Sequence, residues 1–174
     1  MPTMTLTLDG IGVAGGGWSY SGAGSLAQAI SSDDGNNSYG ITSTLNDALI
    51  GLSFTDPIVA EGDIDSITSV RWVAKGRRPS RTAGGTDVSI VYNLPSGFTE
   101  NINFPSAGSM ATVNGTTRTT QPDGSDWTYS RIVALLLNLV HKDTATLWLT
   151  YIAVEVVYVE AVAADDAVFF GTNF

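Results

Sequence analysis

The sequence predicts an all-β fold, an antiparallel jelly-roll β-sandwich carrying one or two short helical turns. Three observations lead there. Roughly eight to ten short runs are rich in alternating or β-branched residues, the connections between them hold Gly, Pro, Asn, Asp and Ser, and only two stretches have helical character. At 174 residues, with 43% hydrophobic and 14% charged residues, the chain is long enough to bury a core without disulfides or metals.

The elements follow in order. Thr3 to Leu8 sets Thr5 and Thr7 against Leu6 and Leu8, the two-residue period of a half-buried strand. Gly10 to Gly24 is glycine-rich and reads as a loop around one aromatic, Trp18. Leu26, Ala27, Ala29 and Ile30 make one helical turn, ending in the polar cluster Ser31 to Asn37. Strands are expected at Tyr39 to Thr44, Ala48 to Phe54 and Ile67 to Lys75, the last opened by Asp63 to Asp65. Gly76 to Gly85 is a basic loop. Asp87 to Leu94 and Glu100 to Phe104 form a hairpin around Pro95-Ser96-Gly97.

Ser106 to Asp126 reads as a long loop with at most one short strand. Trp127 to Ser130 offers an N-cap for a helical turn near Arg131 to Ala134. Leu135 to His141 and Thr146 to Glu160 are the last long strands, joined at Lys142 to Ala145. The domain is placed at residues 1–160, Gly-rich loop included, and residues 161–174 form a C-terminal aromatic arm.

The last strand carries the most information. Leu147, Leu149, Tyr151, Ala153, Val157 and Val159 alternate with Trp148, Ile152, Val154, Val156 and Tyr158, so both faces are apolar apart from Glu155. A strand with one solvated face would be polar on alternate positions, so a cover is expected, from the tail or from another subunit. At roughly 3.3 Å per residue it would also run near 50 Å, which calls for a bulge or bend.

Charge and composition exclude several function classes. Seventeen acidic residues against eight basic ones give a net charge of −9, the wrong sign for a nucleic-acid partner. The absence of cysteine removes thiol chemistry and cysteine metal sites and fits synthesis in a reducing cytoplasm. Met1 to Ile11 has no basic residue and no apolar run, so no secretory leader is expected, and the apolar Leu147 to Ala164 reads as strand rather than membrane span.

Candidate chemistry is sparse. His141 is the single histidine. It stands beside Lys142-Asp143 with no Gly-x-Ser-x-Gly elbow anywhere, and a structural or solvated role is expected. A glycosidase needs two facing carboxylates, yet Glu155 and Glu160 have opposite parity, and Glu61 and Glu100 fall in expected turns. No enzyme activity, catalytic residue, cofactor or metal is therefore predicted. Asp33, Asp34, Asn36 and Asn37, and Asp123 with Asp126, are oxygen-rich but lack EF-hand spacing, so they read as turns.

Arg71, Lys75, Arg77, Arg78 and Arg81 place five of the eight basic residues within eleven positions. They are either a local dock for an acidic surface or a set of charges offset by nearby acids. Trp72 and Trp148 lie in strands and read as core or interface. Trp18 and Trp127 adjoin turns and plug a core end or offer a sugar platform.

The strings Gly15-Gly16-Gly17-Trp18, Leu26 with Ile30, Asp33-Asp34 and Ser38-Tyr39-Gly40-Ile41, then Pro122-Asp123-Gly124, Trp127-Thr128 and Val154-Glu155-Val156-Val157-Tyr158, resemble phage virion jelly-roll proteins: capsid decoration (cement) proteins and related tail jelly-roll domains. The resemblance implies a structural protein on the capsid surface, made in the host cytoplasm and partnered by the major capsid protein. It would assemble as a homo-oligomer, a trimer by preference, without nucleic acid or membrane. Trp148, Tyr151 and Tyr158 are the expected subunit contacts, and Arg77, Arg78 and Arg81 with Phe169, Phe170 and Phe174 the capsid-docking residues. The alternative is a tail-associated carbohydrate- or receptor-binding module using Trp18 or Trp127.

Overall fold

The computed structural model describes residues 1–35, 37–78, 87–92, 97–105 and 109–162. They fold as a jelly-roll β-sandwich in which every strand pairing is antiparallel. The strands are β1 (Thr3–Ala14), β2 (Ser19–Ser21), β3 (Tyr39–Thr42), β4 (Ala48–Phe54), β5 (Ile64–Arg77), β6 (Val88–Tyr92), β7 (Thr99–Ile102), β8 (Ala111–Asn114), β9 (Leu136–His141) and β10 (Leu147–Glu160). Two short helices, α1 (Leu26–Ala29) and α2 (Tyr129–Val133), fill connections.

The first sheet is built on β10. β5 pairs with it along its whole length and passes on to β8. On the other side of β10 lie β3, joined to β2, and then the first half of β1. The second sheet runs β1-β4-β9-β6-β7. β1 therefore belongs to both sheets, crossing at an irregularity between Leu8 and Gly10. Glycine suits that corner because a Cβ at Gly10 would stand 2.9 Å from the Ser53 hydroxyl. A second bulge puts Gly51 of β4 at φ 67°, and its N–H donates to Asn138 Oδ1 at 2.8 Å.

The core between the sheets is apolar. Met4, Leu6 and Leu8 of β1, Val70, Trp72 and Ala74 of β5, and Ile152, Val154 and Val156 of β10 come from the first sheet. Leu49 and Leu52, Val88, Ile90 and Tyr92, and Leu137 and Leu139 face them from the second. The helices are held by their caps: Ser25 Oγ accepts from Gln28 N–H, and Thr128 Oγ1 accepts from Arg131 N–H.

Three expectations are corrected. β1 does not stop at Leu8, since its glycine-rich continuation to Ala14 pairs with β4. The phase of β10 reverses at a register shift between Leu149 and Tyr151. Leu147 and Leu149 thus face inward with Ile152, Val154, Val156 and Tyr158, while Trp148 faces outward with Tyr151, Ala153, Glu155 and Val157. Glu100 lies not in a turn but within β7, with its side chain buried.

Candidate functional site

The outward face of the β10 sheet gathers most of the residues singled out in the sequence. Trp148 pairs with Ile41 of β3 on one side and Arg77 of β5 on the other. Its indole is accordingly filled from both sides. Tyr39 stacks on it with ring centroids 4.8 Å apart and planes 8° from parallel, and the Arg77 guanidinium lies 4.0 Å from the ring centroid. Such stacking and cation–π contact hold an aromatic in one orientation.

Further along the same face, Lys75 stands opposite Tyr151, and Lys75 Nζ reaches Asp33 Oδ1 at 2.6 Å. Partial burial, and after it the charges of Glu155 and Asp33, raise the pKa of the Tyr151 phenol above its ordinary value. Arg71 and Glu155 are directly opposed and paired through Nη2–Oε2 at 2.6 Å and Nε–Oε2 at 2.7 Å. Thr3, Ser69, Arg71, Thr117, Glu155 and Val157 line a shallow groove of about 220 Å³ at this end. At the centre, Val73 and Ala153 point outward and are still only 6% and 0% exposed, flanked at two-residue spacing by the long side chains of Arg71, Lys75, Tyr151 and Glu155.

The basic cluster is therefore dispersed among partners. Arg71 and Lys75 are offset by acids, and Arg77 joins the aromatic stack. Arg78 follows Arg77 by one residue and points the other way. It is 0% exposed, with its guanidinium against the Asp87 carboxylate and 3.0 Å from Asp143 Oδ2. The expectation that Arg78 docks a partner is corrected, because it has no surface. Tyr158 is corrected likewise: the β10 bulge turns it into the core, where it is 6% exposed. Arg81, Phe169, Phe170 and Phe174 lie outside the described residues.

The tryptophans proposed for sugar stacking are not free platforms. Trp127 is 4% exposed and its Nε1–H donates to Arg118 O at 3.0 Å. Trp18 packs against the core with its Nε1 buried. Trp72 is wholly buried, and its Nε1–H donates to Glu100 Oε2 at 3.0 Å.

Glu100 also accepts from Thr116 N–H at 2.9 Å and from Arg118 Nε and Nη2 at 3.0 and 2.7 Å, which satisfies a buried carboxylate completely. His141 is buried as well, with Nδ1 3.0 Å from Thr44 O, so Nδ1 carries the proton. In the two polar clusters expected to be turns, the described residues Asp34 and Asp123 make local side-chain hydrogen bonds. Asp34 accepts from Asn37 N–H, Ser38 N–H and Ser38 Oγ, and Asp123 from Ser125 N–H and Oγ. These bonds, led by the Ser38 and Ser125 hydroxyls, lower both carboxyl pKa values. A second groove of about 230 Å³ is lined by residues including Glu61, Asp65, Trp127 and Tyr129.

No family model matches the chain, and no curated protein matches it. Among solved structures it is similar to the CBM22-1 xylan-binding domain from Paenibacillus barcinonensis Xyn10C, at 14% identity and a TM-score of 0.41, covering 91% of this chain and 95% of that one. At that identity and score the likeness carries no weight for ligand or role. None of these comparisons bears on the virion expectation.

Proposed function

We propose that the chain is a non-catalytic assembly protein of the capsid-decoration type, a jelly roll that associates with copies of itself and with a shell through the outward face of the β10 sheet. The observation that carries this reading is the Tyr39–Trp148–Arg77 stack. Trp, Tyr and Arg are the residues that dominate protein contact energies, above all when already ordered. Both ring faces of Trp148 are occupied, so the indole offers an edge to pack against rather than a face on which a sugar could lie. The adjoining Arg71–Glu155 and Lys75–Asp33 pairs supply a polar rim of both signs. The resemblance of the sequence to virion jelly rolls supports the particular setting.

Sedimentation velocity of the purified chain over a concentration series tests the self-association, with a trimer expected. Co-sedimentation with undecorated shells tests the docking. A chain that stays monomeric and ignores every shell defeats the proposal. So does a glycan-array signal that disappears in Trp18→Ala or Trp127→Ala, which would establish the carbohydrate alternative.

A further inference from the structure

β5 is covered over only part of its length on the side away from β10. β8 pairs with residues 73–76, and an isolated bridge sets Arg118 opposite Val70. Among the described residues, no strand pairs with residues 64–69 on that side. A free strand edge presents N–H and C=O groups that water or an added strand must satisfy.

The groove of about 230 Å³ opens on this edge. Ile64, Asp65, Ser66 and Ile67 of β5 line it together with Glu61 and the segment Trp127, Thr128 and Tyr129. That segment is anchored, because Trp127 is 4% exposed and its Nε1–H donates to Arg118 O, the same carbonyl that accepts from Val70 N–H. A wall already in place lowers the ordering cost of binding.

The rim is acidic. Glu61 and Asp65 line the groove, Asp63 lies between them in the chain, Asp126 precedes Trp127, and Glu160 stands opposite Ile64, all of them exposed. No described Lys or Arg lines it, and Arg131 of α2 lies near Asp123, whose pKa it helps to lower. Such an edge turns away acidic strands. A second copy of this chain, at net −9, has the wrong sign, and so do residues 163–174, which include Asp165 and Asp166 and no basic residue.

We infer that the β5 edge at residues 64–67 is a docking groove for an extended, basic segment of a partner polypeptide, which adds to the sheet as a strand. Main-chain hydrogen bonds would set its register, with Lys or Arg side chains meeting Glu61 and Asp65 and the intervening ones lying along Trp127 and Tyr129. Register shifts in the β5–β10 pair bracket Ser66 and Ile67, which limits the added strand to a few residues. Trp148 lies at the opposite end of β10, so the groove does not rest on the association proposed above.

The probe is a capped heptapeptide of four lysines alternating with three valines, titrated into the intact chain. Amide hydrogen exchange read by mass spectrometry is expected to slow at residues 64–69 as the peptide saturates. A counterpart with glutamates in place of the lysines is expected to leave exchange unchanged. An analogue of equal charge with proline at its centre is expected to bind about tenfold more weakly, because proline interrupts main-chain pairing. Glu61→Lys combined with Asp65→Lys, at two exposed positions, is expected to weaken binding of the lysine peptide about tenfold or more. Should that variant fail to fold by circular dichroism, the proline and glutamate peptides decide. Absence of binding overturns the inference, as does binding without slowed exchange at residues 64–69. Equal binding of the proline or glutamate peptide, or undiminished binding by the folded variant, overturns it too. So does exchange that is already slow throughout residues 64–69 in the free chain, or that slows as the chain alone is concentrated, since its own tail or a second copy then holds the edge.

Discussion

Trp72 and Trp148 sit on the same two-stranded ribbon of β5 and β10, on opposite faces. Trp72 points inward, wholly buried, with its N–H on Glu100 and Gly115 pressed against its ring. Trp148 points outward, half-buried, held between Tyr39 and Arg77. The same side chain thus does two different jobs, and parity along the strand decides which. The inner face is closed by hydrophobic burial and a satisfied polar network. The outer face is ordered by stacking and ion pairs that leave it available for contact.

That contrast breaks most sharply at Trp72. Trp72→Ala is expected to cost about 3–5 kcal/mol, read as a fall in the urea midpoint, because it opens a cavity and removes a donor from Glu100. Trp148→Ala is expected to cost far less in the same measurement and to act on association instead. Equal losses of stability from the two variants would erase the distinction between the faces.

The paired arginines sharpen the comparison. Arg78→Met strands the Asp87 carboxylate in the core and is expected to cost about 3 kcal/mol, whereas Arg71→Met removes an accessible pair with Glu155 and is expected to cost under about 1 kcal/mol. Chemical denaturation of the two variants side by side measures the gap.

Asp143 provides a smaller, pH-dependent effect. The Ala145 N–H first, and then Arg78, lower its folded pKa below the ordinary value of 3.8. A carboxylate lowered in this way contributes stability that is fully present above 3.8 and fades as the pH falls through the folded pKa. Asp143→Asn is therefore expected to be less stable than the unmodified chain at neutral pH and to converge with it in acid. Stability curves that stay parallel below pH 3.8 would count against the role given to that carboxylate.

Much of this was legible in the sequence. β4 falls where its composition puts it, and β9 and β10 start one residue later than expected and end where expected, because β-branched and leucine-rich runs bounded by turn residues leave little choice. The need for a bulge in β10 followed from its length alone. Its position did not, and one extra residue at Thr150 was enough to exchange Trp148 with Leu147 and Leu149 between faces. The second half of β1 was hidden by Gly10 and Gly12, whose low strand propensity masks a segment that β4 recruits by pairing.

Arg77 and Arg78 looked alike as neighbours in a basic run. Only the extension of β5 to Arg77 and the arrival of Asp87 and Asp143 from distant elements separate a surface stack from a core ion pair.

The outward face as a contact surface is tested most directly by sedimentation velocity on the unmodified chain and on Trp148→Ala at matched concentration. The unmodified chain is predicted to sediment as an oligomer and Trp148→Ala as a folded monomer with unchanged circular dichroism. Identical sedimentation of the two, whether as monomer or as oligomer, would contradict that role for the Tyr39–Trp148–Arg77 face.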